Sequence, residues 1–197
     1  AGGISSSSSR AWSAGWSLPA LRSADIVVFS DFRHGMFNRH TIPPLTAAIP
    51  AQALRVADSQ VASRWGNILD FKGFDLITPN EREARFALGD QDLTIRPLAQ
   101  ELFKRAECRT LILKLGERGL LAYRQRPNID DPRAFFVVDS FVDRVVDAVG
   151  SGDALLAYTT LAIAATRNEV IAAVLGSIAA AVECELDGNI PVTRDSV

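Results

Sequence analysis

The chain has 197 residues, 48% of them hydrophobic, and a formal net charge of −2 at pH 7. This length and apolar content suit one domain with a sizeable core, and the near-neutral charge argues against a nucleic-acid-binding protein. The two cysteines, Cys108 and Cys184, lie far apart and outside any CxxC pattern, which argues against a disulfide framework and against a zinc site.

Residues 1–23 are predicted to be a flexible or artificially added end with a lead-in, because they open with glycines and a run of serines. One domain is predicted over residues 24–197. No charged segment followed by an apolar one begins the chain, so we expect no secretory signal and a cytoplasmic location. The apolar segments 154–166 and 170–182 are shorter than the roughly 20 residues that span a bilayer. They are predicted as core helices, and no membrane partner is expected.

Apolar, β-branched runs alternate with helical patterns through the first part of the chain. Such runs are typical of parallel strands that are buried on both faces. The strands are predicted at 25–30, 53–57, 74–78 and 110–114, and the helices between them at 41–49, at 59–69, from Pro79 to Gly89, and at 96–106.

The pattern changes after Gly119. Residues 120–123 and 134–138 are predicted as an antiparallel pair at the sheet edge, because the connection between them is polar and rich in Pro and Asp. Residues 144–147 are predicted as a strand that enters a tight turn. The fold class is therefore α/β, in three layers with a mainly parallel central sheet, and ligands are expected at the carboxyl ends of the parallel strands.

The most informative segment runs from Asp147 to Asp153. Gly150, Ser151 and Gly152 are small residues at the start of an apolar helix, where free backbone N–H groups and the helix dipole favour an anion. Asp153 follows them directly and is a candidate general base. The alternative interpretation is a tight turn whose aspartate caps the helix.

Two further motifs lie before this segment. Asn80 and Glu83 occupy the first turn of a predicted helix, at a spacing that lets both face one ligand. The same spacing predicts a capping box without any ligand. Lys114 ends a predicted strand before Gly116 and Gly119, where a cation could reach nucleotide phosphates and the glycines could admit a nucleotide closely. The alternative is a plain hairpin bend with a solvated lysine.

A third group of polar residues follows the first predicted strand. Asp31 lies where the carboxyl end of that strand opens onto a cleft, and Arg33 or His34 could contact phosphate there. The spacing between His34 and His40 fits neither a helical face nor a usual metal-ligand spacing. Both histidines are therefore interpreted as surface or loop residues.

These motifs, in this order, resemble the signatures of the PfkB, or ribokinase-like, carbohydrate kinase family. Residues 147–153 are similar to its D-x-x-G-[AS]-G-D signature, residues 80–83 to its N-x-x-E segment, and residues 114–119 to its nucleotide-side G-x-x-G turn. The resemblance runs from about Ala24 to about Thr193. It implies a ribokinase-like α/β/α sandwich whose N-terminal part, with a Gly-Gly sugar-recognition motif and a lid sheet, is missing here.

The resemblance also implies an activity: an ATP-dependent, Mg²⁺-using phosphotransferase that acts on a hydroxyl of a sugar or sugar phosphate. It implies that Asp153 is the catalytic base and that Gly150, Ser151 and Gly152 form the anion hole. Asn80 and Glu83 would order magnesium, Glu83 through water. On the nucleotide side, the implied residues are Lys114, Gly116, Gly119 and Asn189, the last of them near adenine.

Two segments refine this expectation. Ala148 and Val149 replace hydroxyl residues common in the signature, so Asp147, the candidate ligand of a monovalent cation, has lost neighbouring ligands. The stretch from Asp31 to Gly35 resembles the D-Y-x-K-G stretch of family members that act on heptose phosphates, although Arg33 and His34 depart from it. The competing hypothesis is a truncated or degenerate member that binds nucleotide without catalysis. The sequence leaves a homodimer open.

Overall fold

The computed structural model describes residues 18–60, 67–128, 131–188 and 190–197. Within these residues six strands form one sheet in the order β1 to β6. The strands are β1 Ile26–Asp31, β2 Leu54–Ser59, β3 Leu76–Ile77, β4 Thr110–Lys114, β5 Leu120–Arg124 and β6 Phe135–Val138. Neighbours from β1 to β4 run parallel, whereas β5 is antiparallel to both β4 and β6. The predicted parallel sheet with an antiparallel edge pair is confirmed.

Helices cover both faces of this sheet. They are α1 Leu18–Arg22, α2 Ile42–Ala48, α3 Glu81–Leu88, α4 Ile95–Ala106, α5 Ser151–Thr166 and α6 Glu169–Glu185, with short 3-10 turns at Ile68–Phe71, Gly116–Arg118, Pro132–Ala134 and Arg194–Ser196. Side chains of β4 alternate between two cores, since Leu111 and Leu113 join the core under α4 while Ile112 joins the core under α5 and α6. The three-layer prediction is therefore confirmed.

Helices α5 and α6 approach each other closely at one glycine. A Cβ atom on Gly176 of α6 would lie 2.0 Å from Oγ1 of Thr159 on α5, and 3.1 Å from the carbonyl oxygen of Leu155. Thr159 is completely buried, so this contact is part of the helix interface. The interface supports α5, whose first turn carries the small-residue loop.

Two local predictions are wrong. Residues 144–147 form no strand, because the backbone N–H groups of Val146 and Asp147 both donate to the carbonyl oxygen of Cys184, at 2.7 and 3.1 Å. The segment is thus attached to the last turn of α6 instead of to the sheet. The predicted helix 59–69 is also wrong at its start, since Ser59 ends β2 in register with Asp31.

The rest of that predicted helix differs as well. Residues 61–66 lie outside the described part of the chain, and the remainder is the 3-10 turn Ile68–Phe71. Asn67 and Asp70 close this turn with a reciprocal capping box, which favours one short turn over a longer helix.

Before the predicted domain start at residue 24, the chain already forms α1, and Leu21 of that helix packs against the core of β1 and α4. The division at residue 24 itself stays a prediction. Among the described residues, no helix combines the length and the apolar composition needed to cross a bilayer.

Candidate functional site

The carboxyl ends of the parallel strands bring several predicted site residues together. Lys114 ends β4, and Asn80, just after β3, forms an isolated parallel bridge with it. The small-residue loop lies against the same point, since a Cβ atom on Gly152 would lie 3.5 Å from Nζ of Lys114. This is the edge at which open α/β sheets bind their ligands.

Lys114 is paired with an aspartate that the sequence analysis missed. Its Nζ lies 3.2 and 3.3 Å from the two carboxylate oxygens of Asp58, the penultimate residue of β2. The hydroxyl of the completely buried Thr78 donates to the same carboxylate at 2.9 Å. Asp58 lies at the carboxyl end of its strand as Asp31 does, so the argument used for Asp31 could have found it.

Asn80 and Glu83 form the capping box that their spacing predicts. The side-chain oxygen of Asn80 accepts from the N–H of Glu83 at 2.8 Å, and Oε2 of Glu83 accepts from the N–H of Asn80 at 2.7 Å. Glu83 is buried, and burial raises the pKa of its carboxyl, while the nearby Lys114 ammonium opposes that rise. The pair therefore has a structural role that does not depend on any ligand.

The loop at the start of α5 has the geometry of an anion cradle. Gly150 takes the left-handed conformation, with φ 91°, and no side chain of the described residues caps this helix. The N–H of Ser151 makes a long hydrogen bond of 3.4 Å to the carbonyl oxygen of Ala148, whereas the N–H groups of Gly150 and Gly152 have no hydrogen-bond partner among the described residues and are left for a ligand. The alternative in which Asp153 caps the helix is not realised.

Asp153 lies beside this cradle and is exposed. Burial of part of the carboxyl raises its pKa, the negative charge of Asp58 raises it further, and the Lys114 ammonium opposes both effects. A raised pKa makes a carboxylate a better proton acceptor. Asp153 is therefore both accessible and chemically suited to act as a base.

The turn between β4 and β5 is fixed from two sides. A Cβ atom on Gly119, with φ 76°, would lie 2.1 Å from the carbonyl oxygen of Val138, so only glycine lets β6 approach here. On the other side Arg118 forms an ion pair with Glu81 at the start of α3. Gly116, at φ 62°, has open space beside its Cα.

A cavity of about 660 Å³ opens between this turn and helices α5 and α6. Its volume falls within the roughly 300–1,000 Å³ of small-molecule sites. Its lining combines polar groups, such as the Lys114 side chain, with apolar side chains. Residues that line it include Lys114, Gly116, Gly119, Gly152, Leu155 and Cys184. Three of the predicted nucleotide-side residues and the anion loop therefore surround one cavity.

The remaining predicted residues lie elsewhere or outside the described part. Asp147 uses one carboxylate oxygen to accept from the N–H of Val149 at 2.9 Å, which closes a local turn. Asn189 lies outside the described residues. His40 accepts from the Arg39 side chain, and the described residues contain no cluster of three metal-ligating side chains.

Arg33 does not present a free cation to the cleft. Its Nε lies 3.1 Å from the carboxylate of Asp31, with both side chains almost completely buried, and it donates to the carbonyl oxygen of Gln60 at 3.2 Å. Asp70 lies 3.7 Å from the same guanidinium group. The expectation that Arg33 contacts phosphate is therefore not supported, since internal carboxylates neutralise its charge.

Comparison with known proteins places this chain in a family. The family model described as "pfkB family carbohydrate kinase" matches residues 5–194. Bifunctional protein HldE from Nitrobacter winogradskyi is 28% identical over 179 residues, which make up 89% of this chain and 35% of that protein. The chain thus spans about a third of the length of this relative.

Solved structures share the fold. Phosphofructokinase-2 from Escherichia coli, in complex with potassium, matches with a TM-score of 0.73 and 20% identity over 91% of this chain and 57% of that chain. Ribokinase from Arabidopsis thaliana, complexed with ribose and ATP, matches with a TM-score of 0.71 and 18% identity over 87% of this chain and 53% of that chain. The expected ribokinase-like fold is confirmed. Because the family model covers nearly the whole sequence, this chain belongs to the pfkB family of carbohydrate kinases.

Proposed function

We propose that this chain carries the nucleotide-binding and catalytic part of a sugar kinase, which transfers the γ-phosphoryl group of ATP to a hydroxyl of a sugar or sugar phosphate. One observation carries the proposal: the start of α5 and the Lys114 side chain line one nucleotide-sized cavity, and the Asp153 carboxyl, next in the chain to the lining residue Gly152, interacts electrostatically with the Lys114 ammonium. These are the groups that phosphoryl transfer needs, since it depends on positioning, charge stabilisation and a proton acceptor.

Asp153 acts as the base. It accepts the proton of the attacking sugar hydroxyl, and its raised pKa and exposure suit that role. The backbone N–H groups of Gly150, Ser151 and Gly152 donate to the oxygens of the transferring group. A preorganised donor of this kind contributes roughly 3–4 kcal/mol at a developing oxyanion.

Lys114, Gly116, Gly119 and Asn189 hold the nucleotide in this proposal. Lys114, which lines the cavity, contacts the phosphates, and the open space beside Gly116 admits the nucleotide. The apolar lining residues Leu155 and Val145 suit contact with a nucleobase.

Magnesium fits the donor set at Asn80 and Glu83 only through water. The capping box already engages both Glu83 oxygens, but a carboxylate accepts about four hydrogen bonds, so lone pairs remain for metal-bound waters. Mg²⁺ keeps several waters in its coordination sphere, which matches this mode, and it supplies charge neutralisation on the phosphates. Asp147 stays a candidate ligand of a monovalent cation, and one of its carboxylate oxygens already accepts a hydrogen bond from the N–H of Val149.

Activity is tested by ADP release from Mg-ATP with a panel of acceptors. The panel includes ribose and fructose 6-phosphate, because structures of family-fold neighbours are described with these sugars. The panel also includes a heptose phosphate, because the stretch from Asp31 to Gly35 resembles that of family members that act on heptose phosphates. Sugar-dependent ADP release supports the kinase, and the acceptor that gives the highest kcat/KM identifies the substrate class.

The second candidate is a non-catalytic nucleotide-binding member. The chain matches only 35% of one relative and 57% of a solved neighbour, so elements that complete a sugar site can lie outside it. This candidate predicts that Mg-ATP raises the unfolding midpoint while no acceptor gives ADP release. The kinase predicts both effects, so the two measurements separate the candidates.

A further inference from the structure

We infer that Asp58 is a positioning residue, which holds the Lys114 ammonium against the small-residue loop so that this cation meets the phosphoryl group during transfer. The inference rests on the proposed kinase function and adds a residue that the family motifs quoted above do not contain. Its evidence is the geometry of the Asp58–Lys114 pair.

The pair is built to fix a flexible side chain. Nζ of Lys114 lies within 3.2 and 3.3 Å of both carboxylate oxygens of Asp58, and the Thr78 hydroxyl orients that carboxylate at 2.9 Å. The side chains of Lys114 and Asp58 are only 17% and 13% exposed. A lysine side chain carries about 2 kcal/mol of rotamer entropy, and this arrangement has already removed most of that freedom before a ligand binds.

The position of the ammonium relative to the loop gives the pair its function. A Cβ atom on Gly152 would lie 3.5 Å from Nζ, so the cation lies beside the N–H groups of the proposed anion hole. An ammonium group has three donors and no acceptor. Two can point to Asp58, and the third remains for a phosphoryl oxygen held by the loop.

Charge explains why an aspartate is tolerated next to a phosphate site. The charges of both Asp58 and Lys114 act on the neighbouring carboxyls of Glu83 and Asp153, so the four groups form one electrostatic cluster. An unpaired Asp58 would repel a triphosphate, and its pairing with Lys114 cancels most of that repulsion. Some repulsion of bound ATP remains, because Asp58 still adds one negative charge to the cleft.

This balance predicts a particular kinetic signature. Removing the charge of Asp58 lowers the repulsion of ground-state ATP but lets the Lys114 ammonium move away from the transferring group. The KM for ATP should therefore stay unchanged or fall while kcat falls, which marks the loss of an interaction used in the transition state. A displacement of about 1 Å near the reacting atoms can cost about 100-fold in rate.

The experiment compares four variants with the wild type, at saturating acceptor and varied Mg-ATP. They are Asp58→Asn, Lys114→Met, the double variant, and Asp75→Asn as a matched control. Asp75 is also an ion-paired carboxylate, bound to Arg55 and Arg109, but it lies at the opposite ends of the strands. We expect kcat to fall 10- to 100-fold in Asp58→Asn, about the range that misplacement predicts, with KM for ATP no higher than in the wild type.

The double variant tests whether Asp58 acts through Lys114. If it does, adding Asp58→Asn to Lys114→Met causes little further loss of kcat, limited to what the less basic Asp153 carboxyl accounts for. Losses that multiply would overturn the inference, because Asp58 would then act independently, for instance on a metal ion. Wild-type kcat in Asp58→Asn, or an equal loss in Asp75→Asn, would also overturn it. An inactive wild type would instead count against the kinase function itself.

Discussion

Replacing Gly176 with alanine should destabilise the interface that supports the catalytic loop. The added Cβ would lie 2.0 Å from Thr159 Oγ1 and 3.1 Å from the Leu155 carbonyl oxygen, and Thr159 is completely buried. Overpacking of a core costs roughly 1–3 kcal/mol, and the short contact places this case at the upper end. Alanine recovers about 1 kcal/mol of helix propensity over glycine. The net loss is therefore about 2 kcal/mol.

Thermal unfolding followed by circular dichroism measures this loss. For a chain of this size, about 2 kcal/mol corresponds to a midpoint lowered by about 4–8 °C. The control is Thr159→Ala, alone and combined with Gly176→Ala, because removing the threonine hydroxyl makes room for the new methyl group. The two changes should then cost less together than the sum of their separate costs. An unchanged or higher midpoint for Gly176→Ala would refute the close approach of α5 and α6.

Two further predictions concern the carboxyls of the cleft. Glu83→Gln should lower the unfolding midpoint by only a few degrees, because the glutamine oxygen still accepts from the N–H of Asn80 and only the hydrogen bond from Asn80 Nδ2 is lost, at about 1 kcal/mol. The magnesium dependence of ATP binding, measured by titration calorimetry, should weaken, and undiminished magnesium dependence would count against Glu83 as a magnesium-ordering residue. Asp153 must be ionised to accept a proton, so kcat/KM should rise as the pH passes the pKa of Asp153. Because that pKa is raised, the rise should occur above the ordinary aspartate value of about 4. Asp58→Asn removes one of the charges that raise the pKa of Asp153, so the acidic limb of the kcat/KM profile should move to lower pH. An acidic limb that stays in place would contradict the electrostatic account.

Local patterns in the sequence were sufficient to predict much of the fold. Apolar runs such as Leu111 to Leu113 predict buried strands because each side chain has a core to enter, and the sheet has a core on both faces. The capping box of Asn80 and Glu83 and the start of α5 at Ser151 likewise depend on neighbours in sequence. Such elements are predictable because their main interactions are local.

The errors and omissions come from contacts between distant residues. Lys114 and Asp58 are separated by 56 positions, and only the sheet brings them together. The segment 144–147 is predicted as a strand, but the N–H groups of Val146 and Asp147 pair with Cys184 at the end of α6. No pattern around Val146 reveals that partner, because the partner is set by the packing of α6 on the sheet.

The most direct test of the central claim is acceptor-dependent ADP release by Asp153→Asn compared with the wild type. Asparagine keeps the size of the side chain but cannot accept the hydroxyl proton, and general-base catalysis contributes typically 10²–10⁴-fold. We predict that kcat falls by roughly 100-fold or more, while the stabilisation of the fold by Mg-ATP is retained. Turnover at the wild-type rate in Asp153→Asn would contradict the assignment of Asp153 as the base and, with it, the proposed mechanism.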